Sequence, residues 1–237
     1  MRDMRHWVFW DFDGTLIPFD SEQFLLEALF VEGDRTPLSR SLGARLFVYG
    51  DRQGWHPGML KVLYGWCLRG MPLAVLDGIC ERIATYISAA DRAAIRSLAG
   101  GELRMAILSC GTGDLSQRTL RAAGLDDCFE RIEANWFSTC DGYITGIERR
   151  IYLPETKVDI AAERSGDLGS VVAVGDGLTD LPLLDRVGRP VLIAKGSRAG
   201  HFAQRGYHIV PSLSDAITVV AQTVPNPRPR SELGRPG

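Results

Sequence analysis

Short apolar runs that stop abruptly at polar, glycine-containing turns alternate along this chain with longer stretches of helical spacing. Residues 7–10, 105–108 and 171–174 are three such runs, and they end at Asp11, Ser109 and Gly175-Asp176. A continuous apolar run, as opposed to strict alternation, is the mark of a strand buried on both faces, so the three belong to a parallel sheet covered by helices on each side. The expected fold is α/β, a doubly wound parallel sheet. In such sheets ligands bind beyond the carboxyl ends of the strands. Asp11, Ser109 and Asp176 are therefore expected to share one crevice although they lie far apart in sequence.

Between the first and second runs, residues 18–86 look helical almost throughout. Ser21 can cap a helix over 23–31, residues 38–49 and 59–68 show helical spacing, and Pro72 is placed to open a helix running to 87. Gly33, Pro37, Gly54, Pro57 and Gly70 punctuate them. This predicts a helical cap over 18–86 inserted into a core formed by 1–17 and 87–224, with a helix at 91–98 returning the chain to the sheet. A helix at 115–123 follows. Residues 131–137 and 143–147 then read as a β-hairpin about Asp141-Gly142, a turn pair that tolerates the required backbone. Further helix and strand segments fall at 155–164, 181–186, 190–193 and 207–210. Residues 225–237 combine Pro, Arg and Gly with almost no apolar side chains, the composition of a disordered tail.

Composition narrows the function classes. With 237 residues and 45% hydrophobic content the chain can bury a sizeable core. Its 27 basic and 29 acidic residues leave a net charge of −2, so no general attraction to nucleic acid or anionic membrane is expected, and any anion must be caught locally. Five cysteines, Cys67, Cys80, Cys110, Cys128 and Cys140, are scattered without a paired motif and read as reduced thiols of a cytoplasmic protein. The apolar run that Asp11 ends is too short for an export signal or membrane span.

The densest chemistry is Asp11-Phe12-Asp13-Gly14-Thr15 at the end of the first run. Two carboxylates one residue apart at the end of a buried strand repel each other and resist leaving water, so something must compensate them. A divalent cation does so, and a Gly-Thr turn lets the backbone approach an anionic ligand closely. The alternative is an Asx-type turn in which Asp13-Gly14 only reverses the chain. Ser109 with Cys110-Gly111-Thr112-Gly113 offers a hydroxyl and backbone N–H groups to an anion, or else a plain helix cap. Cys110 has no partner base in view and reads as a structural thiol. Gly175-Asp176-Gly177-Leu178-Thr179-Asp180 closes the third run with two further carboxylates.

Taken in order and spacing, Asp11-Phe12-Asp13-Gly14-Thr15, Ser109, Lys157 and Gly175-Asp176-Gly177-Leu178-Thr179-Asp180 resemble the four motifs of the haloacid dehalogenase superfamily of phosphatases. The helical insertion, the Asp141-Gly142 hairpin and Lys195 look most like its phosphoserine phosphatase branch. The resemblance implies a Rossmann-like core and a Mg²⁺-dependent phosphomonoester hydrolase acting on a small phosphorylated metabolite. Asp11 would be the nucleophile, forming an aspartyl-phosphate, and Asp13 the acid and base. Ser109, Cys110, Gly111 and Lys157 would hold the phosphoryl group. Asp11, the backbone carbonyl of Asp13, and Asp176 would bind Mg²⁺, with Asp180 orienting them or holding a metal-bound water.

The chain also departs from that branch. Gly14 stands where Ser is usual, and Thr179 where Asn is usual. The position of a substrate-binding Glu holds Asp20, and that of a substrate-binding cap Arg falls on Tyr64, which cannot fork a carboxylate. Asp20 and Tyr64 are therefore the candidates for substrate selection, and phosphoserine itself is expected to be a poor substrate. Aromatic residues of the insertion mostly read as helix packing, and Lys61 and Arg69 as alternative anion contacts. Two other functions fit the same motifs: a phosphotransferase or mutase passing the aspartyl-phosphate to an alcohol, and a non-catalytic phosphate-binding regulator.

Overall fold

The first strand, β1 (His6–Trp10), sits at the middle of the sheet, and its side chains show why the run is apolar throughout. Successive residues of a strand face opposite sides. Val8 and Trp10 enter one apolar cluster while Trp7 and Phe9 enter another on the opposite face. The computed structural model describes residues 6–30, 38–101, 103–151 and 153–223. The expectation of a disordered 225–237 tail lies outside the described residues.

After β1 come α1 (Ser21–Phe30), α2 (Leu38–Arg52), α3 (Pro57–Leu68), α4 (Val75–Ala84) and α5 (Ala89–Ala99). Then follow β2 (Leu103–Thr112), α6 (Gly113–Ala122), β3 (Arg131–Cys140), β4 (Tyr143–Glu148) and α7 (Pro154–Ser165). The chain continues through β5 (Val172–Gly175), α8 (Leu181–Leu184), β6 (Arg189–Ile193), α9 (Ser197–Phe202), β7 (His208–Val210) and α10 (Leu213–Ala221). The seven strands are ordered β4-β3-β2-β1-β5-β6-β7. All pairs are parallel except β3 with β4. Helices cover both faces: α7, α8 and α9 supply the cluster that receives Trp7 and Phe9, and α5, α6 and α10 the one that receives Val8 and Trp10. The doubly wound α/β fold is thus present.

Three local details differ from the expectation. Ser21 does not cap α1. Its side chain is inside the first turn, and Asp20 takes the role, its Oδ1 accepting from the Gln23 backbone N–H at 2.8 Å. Both residue types cap well, and the first N–H of the helix, that of Ser21, is donated to Asp13 Oδ1 at 2.8 Å.

Residues 72–74 are not helical, since the backbone there pairs with the β3–β4 hairpin. Gly70 N–H donates to the Ile144 carbonyl at 2.6 Å, Ile144 N–H to that of Met71 at 2.8 Å, and Leu73 N–H to that of Gly142 at 2.8 Å. The hairpin itself turns at Asp141 (φ 51°) and Gly142 (φ 80°), the left-handed pair that a two-residue turn demands. Its second strand packs on α3, which joins the helices of the 18–86 segment to the edge of the sheet.

The second strand does not stop at Leu108. It continues to Thr112 with a distortion: β2 advances four residues from Leu108 to Thr112 while β3 advances two, from Glu133 to Asn135. Bulges of this kind bend a strand and re-aim its side chains. Here the displaced residues are Ser109, Cys110 and Gly111.

Candidate active site

The register of the central strands assembles the site. Trp10 lies beside Ile107 of β2 and Val174 of β5, so the residues that follow these three positions emerge together. Asp11 extends the pairing by one bond, its N–H donating to the Val174 carbonyl at 2.8 Å. The chain then curls tightly, with the Phe12 carbonyl accepting from the N–H groups of Thr15, Leu16 and Ile17 at 3.3, 2.9 and 3.2 Å. Gly14 adopts φ +73°, and a Cβ there would lie 2.4 Å from Asp176 Cγ. Glycine at position 14 thus allows the Asp176 carboxyl to rest against the first loop.

Lys157, from the first turns of α7, is fully buried, and two carboxylates hold it. Its Nζ donates to Asp11 Oδ1 at 2.8 Å and to Asp180 Oδ1 at 2.7 Å. The other oxygen of Asp180 accepts the N–H groups of Asp176 and Gly177 at 3.0 and 3.1 Å. Asp180 therefore fixes the loop that carries Asp176 and the ammonium that meets Asp11. Asp13 directs one oxygen to the Ser21 N–H and the other toward Gly111, where a Cβ would come within 2.4 Å of it. Ser109 Oγ accepts from the Gly111 N–H at 3.0 Å, which closes the bulge into a small anion-facing loop.

Burial and mutual repulsion set the titration of this cluster. Burial, reinforced by Asp180, raises Asp11 from the usual 3.8 to about 7 even though Lys157 opposes the shift. Burial, with Asp20 and Asp11 adding to it, holds Asp13 well above the ordinary carboxylate value. Burial and Asp180 likewise raise Asp176 to about 6. Burial works against the Lys157 ammonium, but the charges of Asp11 and Asp180 outweigh it and keep its pKa well above 10.5. The protein alone carries more buried negative charge here than its own cations neutralise. Carboxylate oxygens of Asp11, Asp176 and Asp180 all lie within 4.8 Å of one another. Such hard oxygen donors with surplus negative charge fit a divalent cation of the Mg²⁺ type.

A cavity of about 620 Å³ opens over the cluster. Asp11, Asp13, Ser109, Cys110, Gly111 and Asp176 line its sheet side, and Asp20, Glu22 and Lys61 its helical side. Among the sequence-derived candidates, Lys157 and Asp180 lie behind this wall and Tyr64 does not line it. Tyr64 is fully buried, its ring packed against Phe47 and Phe137 with centroids 5.6 and 5.8 Å away. The substrate contact expected of Tyr64 is corrected by that packing. Lys61, one turn earlier on α3, does line the cavity, with Pro57 and Leu60 of the same helix. Burial pushes the Cys110 thiol up, so it is poorly suited to act as a nucleophile.

Three side chains escaped the sequence reading. Buried Glu22 accepts from Lys61 Nζ and from Thr112 Oγ1, the latter at 2.6 Å, which ties α1 to α3 and to the end of β2. Buried Asn135 donates to the carbonyls of Cys110 and Ile151, both at 2.8 Å, and accepts from the N–H groups of Arg150 and Ile151 at 2.7 and 2.9 Å. It thereby clamps the bulged loop to the segment leading into α7. Arg198 donates to the Asp176 carbonyl at 2.6 Å. A buried Asn and a Glu two residues into a helix carry no local pattern, so only their distant partners reveal them.

Comparison with known proteins agrees with this geometry. Residues 8–185 match the family described as haloacid dehalogenase-like hydrolase. Among curated proteins, a phosphoserine phosphatase of Streptococcus thermophilus is 27% identical over 126 residues, covering 51% of this chain and 56% of its own. One of Archaeoglobus fulgidus is 32% identical over 126 residues, covering 51% of this chain and 35% of its own. The chain thus aligns with about half or less of the length of these two relatives. Among solved structures, a substrate-bound phosphoserine phosphatase complex superposes with a TM-score of 0.68 at 17% identity, covering 91% of this chain and 98% of the other. A phospho-aspartyl intermediate analogue of phosphoserine phosphatase gives 0.65 at 20% identity, covering 91% and 98%. At these identities the structural likeness speaks for the fold, whereas the family match spans most of the chain, and on it the chain belongs to the haloacid dehalogenase-like hydrolases.

Proposed function

We propose that this protein hydrolyses the phosphomonoester of a small molecule, with Asp11 as the nucleophile. The observation that carries the reading is the pairing of Asp11 Oδ1 with Lys157 Nζ at 2.8 Å beside the Ser109–Gly111 bulge that Asp13 faces. A carboxylate held by an ammonium keeps a defined orientation, and the same positive charge offsets what the incoming phosphoryl group adds. Asp11 attacks phosphorus through its free oxygen, and the ester oxygen departs. Asp13, whose burial favours the protonated form, donates its proton to that oxygen. In the second step Asp13, now a carboxylate, takes a proton from the water that attacks the phosphorylated Asp11. The Ser109 hydroxyl and the N–H groups of the bulge hold the phosphoryl oxygens throughout.

Mg²⁺ fits the acidic cluster of Asp11, Asp176 and Asp180; Asp11, the Asp13 backbone carbonyl and Asp176 would hold it, and Asp180 would orient Asp176. When bound it supplies charge neutralisation at the phosphoryl oxygens. The names of the curated relatives support a phosphomonoester substrate. No helix among the described residues is long and apolar enough to cross a membrane.

The test is direct. Purified protein with Mg²⁺ is expected to release phosphate from a generic aryl phosphate, and Asp11→Asn is expected to abolish it. Activity undiminished in that variant would refute Asp11 as nucleophile.

A further inference from the structure

The helical side of the cavity differs in chemistry from the sheet side, and the difference bears on what leaves after phosphoryl transfer. A cavity of about 620 Å³ is far larger than a phosphoryl group needs and lies in the range that accepts a whole small molecule. Much of the extra wall is apolar: Phe19 from the loop before α1, Phe47 from α2, Trp55 between α2 and α3, Leu60 from α3, and Leu178 at the rim. Leu178 is 72% exposed and lines the mouth of the cavity.

The charged groups of that wall are already engaged. Lys61 is given to Glu22, which also holds Thr112; Asp51 accepts from Gln23 Nε2 at 2.7 Å, and Asp20 caps α1. Three carboxylates stand there against one ammonium, among the described residues. A carboxylate on the leaving group would meet no free cation to fork and would be repelled.

We propose that the alcohol released by this enzyme has an apolar body of ring size and carries no carboxylate, with Trp55 and Leu178 among the side chains that select it. The proposal rests on the phosphatase reading above. A flat ring laid against Phe19, Phe47 and Trp55 would bury apolar area from both partners, the only large favourable contribution this wall offers. Lys61, held by Glu22, shapes the wall and does not bind the substrate's anion.

Calorimetric binding of two phosphonates, which cannot be hydrolysed, tests this independently of turnover. In the presence of Mg²⁺, benzylphosphonate is expected to bind at least about tenfold more tightly than 2-amino-3-phosphonopropionate. Trp55→Ala and Leu178→Ser should each lower that ratio, and Leu178 is exposed enough that its replacement leaves the core untouched. A ratio near one, or in favour of the amino acid phosphonate, overturns the proposal. So does a clear preference that both variants leave unchanged. Acetyl phosphate, which lacks a body to reach the helical wall, separates the two readings: its turnover together with an equal phosphonate ratio defeats the substrate class and spares the phosphatase. Failure to turn over acetyl phosphate and phenyl phosphate alike defeats the phosphatase, while the phosphonate ratio still decides the shape of the site.

Discussion

The two sides of the cavity are built on opposite principles. On the sheet side the groups placed for chemistry are held from other parts of the chain: Lys157 by Asp11 and Asp180, Asp13 by the Ser21 N–H, and the Ser109–Gly111 loop by Asn135. Glycine is required at Gly14 and Gly111 because carboxylates occupy the space a Cβ would fill. On the helical side the wall is mostly packed rings and aliphatic groups, and its charged groups are engaged by partners within the helices: Lys61 with Glu22, Asp51 with the Gln23 amide and Asp20 with the Gln23 backbone. The contrast teaches where specificity and chemistry reside. Fixed dipoles and charges serve the transition state, which is common to all phosphomonoesters, whereas shape and apolar area serve the part that varies.

The largest predicted effect that sharpens the comparison is at Asp13. Asp13→Asn keeps the shape but removes the proton, and kcat should fall by about 10²–10⁴-fold for an alkyl phosphate. For an aryl phosphate, whose leaving oxygen needs less protonation, the loss should be smaller. Steady-state rates on the two esters check this, and equal losses on both would contradict a proton-donating role.

Gly111→Ala comes next. Its Cβ would lie 2.4 Å from Asp13 Oδ2 and 3.2 Å from Ser109 Oγ, so the sheet side must shift. kcat should drop by about 10-fold or more for every substrate alike, since a displacement of about 1 Å can cost 10²-fold. A change in KM confined to bulky esters would mean that the damage lay on the helical side instead.

The smallest effect is on stability and concerns charge alone. Asp11 and Asp176 titrate near 7 and 6 in the folded protein against 3.8 ordinarily. Between these values the folded state binds more protons than the unfolded one, so stability falls as pH rises from about 4 to about 7. In chelator, Asp176→Asn should therefore melt higher than the parent at mildly alkaline pH, and the gap should close toward pH 4. Thermal melts across that range check it. A variant that melts lower than the parent under alkaline, metal-free conditions would show that Asp176 is not held against repulsion.

The sheet side was far more legible in the sequence than the helical side. Apolar runs ending in Asp11, Ser109 and Gly175-Asp176 announce buried parallel strands, and the parallel topology brings their ends together. The continuation of β2 past Ser109 was not legible, because a bulge depends on the partner strand. Nor was the Glu22–Lys61–Thr112 network, whose members are 39 and 90 residues apart and follow no helical or strand period. Tyr64 shows the limit of counting positions along a helix. A shift of one turn along α3 exchanges a fully buried ring for Lys61, which lines the cavity. The cap expected at Ser21 falls one residue earlier, on Asp20.

The claim on which the rest depends is that Asp11 becomes phosphorylated. Rapid acid quenching of the enzyme during turnover of an aryl phosphate, followed by mass analysis of its peptides, tests this most directly. The account predicts one phosphoryl group on the peptide containing Asp11, absent in Asp11→Asn and longer-lived in Asp13→Asn. Steady turnover with no phosphorylated peptide at any quench time, or with the phosphoryl group on another residue, would contradict it.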